Sequence, residues 1–363
     1  MKKAGMEQLD RELRARHDII YNYLNKEEYS RYFEPPDIRE AVYSYINLGG
    51  KSLRPSVTLF SCGAVGGDEE VAVPLAAAIE VYHTWTLVHD DIIDRDKKRR
   101  GGPTVHEKWY RRALDMGYNE DEARHYGQTI ATITGDVQHA WAVSLLCELH
   151  TRKGLSPLLV LKLIHQLQTK VVGILLKGET LDVQYSKIPP DRLEESSILE
   201  MLWAKTGVLY EFAGQSGAMI GLNTDDQSHI FVNALASFAS TCGLAFQLQD
   251  DVLGITGDEK VIGKPVGSDI REGKRTLILC HGFKNATKSQ REKLTKTIGN
   301  RNAREEEIAE IVNILKELGS IDYTMKLARN KASNALSYLN PIPPSRYKDF
   351  LKSWASYITE REY

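Results

Sequence analysis

The stretch EEVAVPLAAAIEVYHTWTLVHDDIID, residues 69–94, decides the fold class. It reads as one long helix, apolar enough on all sides to sit in the middle of a helical bundle. Its end meets three carboxylates, Asp90, Asp91 and Asp94, and then four consecutive basic residues, Lys97 to Arg100. On a helix Asp90 and Asp94 lie one turn apart and share a face, with Asp91 beside them. Like charges at that spacing repel, which costs stability unless a cation sits between them. Hard oxygen ligands that leave open positions suit Mg²⁺, which is commonly held by one or two carboxylates plus substrate phosphates. The basic run just beyond would face the same anion. Standing alone, such a motif is as often a helix end with a solvated charge cluster.

Working outward, the rest of the chain reads as helical almost throughout. Apolar residues recur at helical spacing from Met6 to Leu24, and a second helix starts after Pro35 and Pro36. Gly49 and Gly50 break it, and Ser52 is placed to cap the next, with Pro55 in its first turn. Residues 115–121 read as a loop before a helix through His150, and further helices are expected over 156–185, 191–221 and 226–254. A Gly-rich loop at 257–273 follows, then shorter helices broken at Pro341, Pro343 and Pro344. No alternating strand pattern, repeat or low-complexity tract stands out. The expected architecture is all-α: a single-domain helical bundle over residues 1–363, with its site in a core tunnel between facing helices.

Composition limits the partners. At 363 residues and 42% hydrophobic content the chain can bury a substantial core, and a net charge of −2 gives no bulk attraction for nucleic acid. Any anion site must therefore be local. Cys62, Cys147, Cys242 and Cys280 are isolated, which fits a reducing cytoplasm. The start, MKKAGMEQLDREL, has no apolar signal region, and no apolar run is expected to reach the ~18 residues of a membrane span.

Two further constellations share the chemistry of the first. GGKSLRP at 49–55 puts Lys51 and Arg54 in the first turn of a helix, where cations and free backbone N–H groups can meet an anion together. It mimics the end of a nucleotide-binding loop, but Tyr45 stands where the earlier glycine is required and no strand precedes it, so that reading is rejected. FQLQDD at 246–251 repeats the first acidic site: Asp250 and Asp251 end a long apolar helix, and Lys264 and Lys274 lie in the Gly-rich cover beyond. A third pair, Asp225 and Asp226, follows Thr224 at an expected helix start and reads as capping only.

GGKSLRP, the block HDDIIDRDKKRRGGPTVH, LWAKTG at 202–207 and FQLQDD…GKPVGSDIREGK together resemble the trans-isoprenyl diphosphate synthases of the polyprenyl synthetase family, over residues 35–360. Two departures stand out: Gly254 replaces a third acid that some members carry, and the chain ends in Arg361, Glu362 and Tyr363 without a basic triplet. The resemblance implies Mg²⁺-dependent condensation of isopentenyl diphosphate with an allylic diphosphate in a homodimer, by ionisation of the allylic C–O bond with release of pyrophosphate. The cysteine usage and run lengths add the expectation of a cytoplasmic protein without a membrane span. It implies three Mg²⁺ ions per site, bridging Asp90, Asp94 and Asp250 to the diphosphate, with Asp91 and Asp251 in support. Arg99, Lys205 and Lys264, with Lys274 nearby, would bind the allylic diphosphate, and Glu179 and Asp182 would back Lys205. Lys51, Arg54, His83 and Arg100 would hold isopentenyl diphosphate. Thr206 and Gln247 would orient oxygen dipoles toward the allylic cation, and Phe246 would contact the five-carbon unit.

Product length is the finer expectation. Trp85 lies five residues before Asp90, about 7.5 Å along a helix axis. A Trp there would floor the tunnel, and Tyr82, one turn deeper, would be a second stop. By the resemblance, a bulky residue beside a small one, here Thr86, is similar to synthases making the C20 product, geranylgeranyl diphosphate. Farnesyl diphosphate is the alternative. A terpene cyclase would not need a second diphosphate loop such as GGKSLRP, and a non-catalytic partner subunit would be expected to lose one acidic motif.

Overall fold

The structure is a computed structural model that describes residues 2–257 and 267–360. Lys264 and the C-terminal Arg361, Glu362 and Tyr363 lie outside the described residues. The chain forms two compact units, Met1–Ile164 with Ser216–Gln227 and His165–Gln215 with Ser228–Tyr363.

The first unit contains α1 (Lys2–Leu24), α2 (Pro36–Asn47), α3 (Leu53–Ala64), α4 (Val73–Asp94), α5 (Val105–Asp115) and α6 (Glu120–Thr151). The stretch 69–94 is helical as expected, but it opens with a 3-10 turn, Glu69–Ala72, because the Asp68 side chain accepts from the Glu70 amide and tightens the start. Val73 through Val81, apart from Glu80 a run of apolar residues, is buried, so α4 has no solvent face in this half. It packs along α6, and α5 packs along α6 as well. The helix Val105–Asp115 went unread in the sequence, where it is dense in charge and follows directly on GGP. A two-residue hairpin, Lys98–Arg99 with Gly102–Pro103, is the strand pairing among the described residues.

The chain leaves the first unit within α7 (Pro157–Gln166). The second unit holds α8 (Val172–Tyr185), α9 (Glu195–Leu202), most of α10 (Val208–Gly221), α11 (Ile230–Thr256), α12 (Leu277–Asn285), α13 (Lys288–Thr297), α14 (Glu305–Glu317), α15 (Ser320–Ala335) and α16 (Arg346–Glu360). Val252 and Ile255 of α11 join one apolar cluster with Ile278, Ile311 and Leu315; Leu244 and Leu248 join another with Ile198, Met201 and Leu277. One helix therefore serves two cores. The expected helices over 156–185 and 191–221 are each interrupted by a π segment, Leu167–Val171 and Trp203–Gly207. Such widened turns insert one extra residue and recur at functional sites.

Two expectations are corrected. Asp225 and Asp226 do not cap: α11 begins at Ile230 with His229 as its N-cap, while Asp225 pairs with Lys162 at 2.5 Å. By length and composition alone, Glu69–Asp94, Pro157–Tyr185 and Ile230–Thr256 are each apolar enough to cross a membrane. Uninterrupted apolar runs in these helices stay short, and the helices reach the threshold on average, with polar residues spaced among the apolar ones.

Candidate active site

In the first unit, the chain reverses at Arg95, whose φ of 61° closes the C-terminus of α4. The hairpin that follows brings Arg99 back over the acids it follows in sequence. Its guanidinium lies 2.5 Å from Oδ1 of Asp91, 3.3 Å from Asp90 and 3.8 Å from Asp96. Asp91 is fully buried, and the Tyr45 hydroxyl donates to its other oxygen while accepting from the Val105 amide at 3.1 Å. Burial pushes the Tyr45 phenol up, and the Asp91 charge pushes it further. Burial by itself works against the Arg99 charge, but Asp91 and Asp90 more than offset it and hold the guanidinium firmly protonated. Asp90 and Asp94 stay half-buried beside this neutralised pair.

Around GGKSLRP, Arg100 donates to the carbonyl oxygens of Tyr45 and Gly49. A Cβ on Gly50 would come within 2.8 Å of that guanidinium, so the glycine leaves room for it. Arg54 reaches Nε2 of His83 at 3.2 Å, and Thr86 donates to the His83 carbonyl. Burial, followed by the Arg54, Arg100 and Arg99 charges, pushes the His83 imidazole well down, so it stays neutral and accepts from Arg54. Lys51 is exposed at the mouth of the loop. Ser52 occupies the N-cap position of α3, but its side chain makes no cap. On the same helix as His83, Trp85 packs edge-on against Tyr82 at 4.7 Å between ring centres and lies over His139 of α6 at 4.6 Å.

In the second unit, the π segment carries Lys205 and Thr206. Lys205 Nζ lies 2.7 Å from Asp182 and 3.0 Å from Glu179, both on α8. A Cβ on Gly178 would fall 2.3 Å from the Lys205 amide, so α8 touches this segment backbone to backbone. Thr206 donates to Gln247 at 2.8 Å, and Gln247 donates to Oδ1 of Asp251 at 2.9 Å. Asp251 is 5% exposed, and its Oδ2 has no hydrogen-bond partner among the described residues. Burial and the charges of Asp269, Asp250 and Asp182 push its carboxyl well above the usual range, with the Gln247 bond opposing them. The Asp269 carboxylate lies beside Gly254, where a side chain would come within 3.4 Å of it. Lys274 pairs with Glu272 at 3.3 Å, and Phe246 packs near Tyr210 at 5.9 Å between ring centres.

The donor sets fit a hard cation held jointly with a ligand. All are carboxylate oxygens, and among the described residues no three acid, histidine or cysteine side chains converge tightly enough to hold an ion by themselves. Carboxylate oxygens of this kind are what Mg²⁺ takes when substrate oxygens and water complete its coordination. The unpartnered Asp251 oxygen among like charges is the kind of group a cation relieves. Sequence reading missed Tyr45, the hydroxyl partner of Asp91, because no spacing rule links residues 45 and 91.

Residues 35–315 match the family profile described as polyprenyl synthetase. The chain is 36% identical over 329 residues to the geranylgeranyl diphosphate synthase of Sulfolobus acidocaldarius, covering 90% of this chain and 88% of that one. Its fold superposes with a TM-score of 0.80 on geranylgeranyl pyrophosphate synthetase from Pyrococcus horikoshii, at 32% identity over 99% of both chains. Against geranylgeranyl pyrophosphate synthase from Corynebacterium glutamicum, solved with isoprenyl diphosphate and magnesium, the TM-score is 0.86 at 26% identity, over 98% of this chain and 99% of that one. With the motifs, the all-α fold and these likenesses in agreement, the chain belongs to the polyprenyl synthetase family.

Proposed function

We propose that this protein condenses isopentenyl diphosphate with an allylic diphosphate and that its main product is geranylgeranyl diphosphate. The observation that carries the reading is the recurrence of one device: a long apolar helix ending in paired aspartates with an ordered cation nearby, Arg99 in one unit and Lys205 in the other. The likeness to geranylgeranyl diphosphate synthases supports the C20 product over farnesyl diphosphate.

Asp90, Asp94 and Asp250 would hold Mg²⁺, three ions per site in this reading, which would supply the positive charge that the departing diphosphate needs, with Asp91 and Asp251 behind those ligands. Arg99, Lys205 and Lys264 orient the allylic diphosphate, the arginine as a fork and the lysines as point charges. Lys51, Arg54 and Arg100 hold isopentenyl diphosphate, with neutral His83 keeping Arg54 in place. Fixing both reactants makes the coupling effectively unimolecular. Thr206 and Gln247 turn oxygen dipoles toward the carbon that becomes positive. The allylic C–O bond breaks to release pyrophosphate, the new C–C bond forms, and the proton lost as the alkene is restored passes to the released pyrophosphate.

A homodimer is part of the reading. Leu158 and Leu161 on α7 and Ile133 on α6 are exposed and offer apolar surface to a second copy, which sedimentation would detect. The four free cysteines, three of them buried, support action in a reducing compartment such as the cytoplasm. The deciding experiment incubates the protein with Mg²⁺, labelled isopentenyl diphosphate and C5, C10 or C15 primers, then sizes the products. C20 is expected. Products stopping at C15 would favour the farnesyl alternative, and no turnover with any primer would overturn the reading.

A further inference from the structure

The N-terminal helix reaches the diphosphate loop through residues that no part of the reaction uses. Ser52 is 4% exposed and adopts φ 44° and ψ 38°, the left-handed region that a residue with a Cβ avoids. A serine in this position ordinarily turns its hydroxyl onto an amide of the first helical turn. Here Oγ lies 3.1 Å from Nδ1 of His17 on α1 instead. The His17 ring stacks on Tyr21 with centres 3.9 Å apart, and the Tyr21 hydroxyl donates to Oε1 of Glu80 at 3.0 Å. Glu80 is 2% exposed on the apolar half of α4, three residues before His83. A carboxylate this deep needs a donor, and Tyr21 provides one. Burial pushes the Tyr21 phenol up, Glu80 adds to that, and the Arg100 charge opposes it. The loop is thereby gripped at two points: Arg100 on the Gly49 carbonyl and His17 on the Ser52 hydroxyl.

We propose that His17 and Tyr21 are positioning residues for isopentenyl diphosphate, holding Ser52 in its left-handed turn and so aiming Lys51 and Arg54 at the incoming diphosphate. The inference rests on the reading of residues 49–54 as a diphosphate loop. It follows from where the strained residue sits. Ser52 lies between the two cations, and a change in its backbone angles swings Lys51 relative to the first turn of α3. Among the described residues the latch's hydrogen bonds run to Ser52 and Glu80, while Arg99 is engaged by Asp90 and Asp91, so its loss should fall on one substrate.

The test is steady-state kinetics with both substrates varied, on variants whose folding is checked by circular dichroism. His17→Ala should raise KM for isopentenyl diphosphate about fivefold, the worth of one hydrogen bond, and leave KM for the primer within about twofold. Ser52→Ala removes the hydroxyl but keeps the Cβ, and should reproduce the defect even if His17→Ala does not fold. Ser52→Gly adopts the turn without a latch, so adding His17→Ala to it should change nothing further. An unchanged isopentenyl KM in folded Ser52→Ala, or a His17→Ala effect undiminished on the Ser52→Gly background, overturns the proposal. If wild type turns over no primer, the enzymatic reading has failed instead. If Arg54→Ala leaves isopentenyl KM unchanged, the loop assignment has failed.

Discussion

The two aspartate clusters share a sequence pattern and differ in how their charge is met. In the first, Asp91 is fully buried, Arg99 donates to both of its oxygens and Tyr45 to one of them, so the protein itself neutralises the acid beside Asp90 and Asp94. In the second, Asp251 is almost as buried, but its side-chain donor among the described residues is the neutral amide of Gln247, and its charged neighbours include Asp250, Asp269 and Asp182. Lys205, the nearby cation, is engaged by Asp182 and Glu179. The difference teaches that the buried acid of the first cluster is met by an arginine, whereas that of the second is met, among the described residues, by a neutral amide beside like charges, which a cation from outside would relieve.

The largest expected effects come from removing that cation or its ligands. EDTA should abolish turnover and Mg²⁺ should restore it. Asp90→Ala and Asp250→Ala should each lower kcat by about three orders of magnitude, the several kcal/mol that a bridging metal contributes, with folding retained. A folded variant of either kind with near-normal turnover would break the pairing of the two clusters.

Stability measured without metal should sharpen the contrast. Arg99→Ala leaves a buried carboxylate without its cation and should cost about 3–5 kcal/mol. Asp251→Asn keeps the shape and can still accept from Gln247, while removing a buried charge among like charges. It should leave the metal-free protein unchanged or slightly more stable in urea. Equal destabilisation by the two variants would mean the clusters are electrostatically alike.

The acids could be read from spacing, and so could the helices that end in them, because period and apolar length act locally. What neutralises each acid could not. Arg99 reaches Asp91 only because Arg95 takes a left-handed turn and a hairpin folds the chain back, and Tyr45 arrives from a separate helix. Ser52 shows the same limit: its identity and place predict a cap, yet a histidine 35 positions earlier takes its hydroxyl. The π segments at 167–171 and 203–207 were invisible for another reason. One extra residue per turn leaves no mark in composition, since neighbouring packing decides it. The close approach of α8 to Lys205 does depend on Gly178, but nothing in the sequence says which glycine meets a backbone.

The two acid-ending helices differ again five residues before their first aspartate, where α4 carries Trp85 and α11 carries Ala245. If the growing chain is stopped by α4, Trp85→Ala should shift products from C20 toward C25 and longer, and Tyr82→Ala added to it should extend them further. Trp85 is 8% exposed and packed on Tyr82 and His139, so the change should also cost about 3–5 kcal/mol. Folding is therefore checked before products are sized by chromatography. Unchanged C20 from a folded variant would make Trp85 ordinary core.

The smallest expected effect tests how finely the second cluster is supported. The Trp203 indole lies against Gly207, whose Cβ would approach it to 2.7 Å, and its Nε1 donates to Ser240 at 2.8 Å. Ser240 donates in turn to Glu211 at 3.1 Å. This chain pins the first residue of the π segment that presents Lys205 and Thr206. Trp203→Phe keeps an aromatic ring in the slot and removes one neutral hydrogen bond, worth about 1 kcal/mol. KM for the allylic primer should rise about fivefold, with isopentenyl KM unchanged. Tyr45→Phe in the first cluster removes the donor from a buried carboxylate and should cost more, because a charged acceptor is left short of a partner. A Trp203→Phe defect as large as that of Tyr45→Phe, or one spread over both substrates, would mean the π segment is held by its overall packing and the indole bond has no particular part in aiming Lys205.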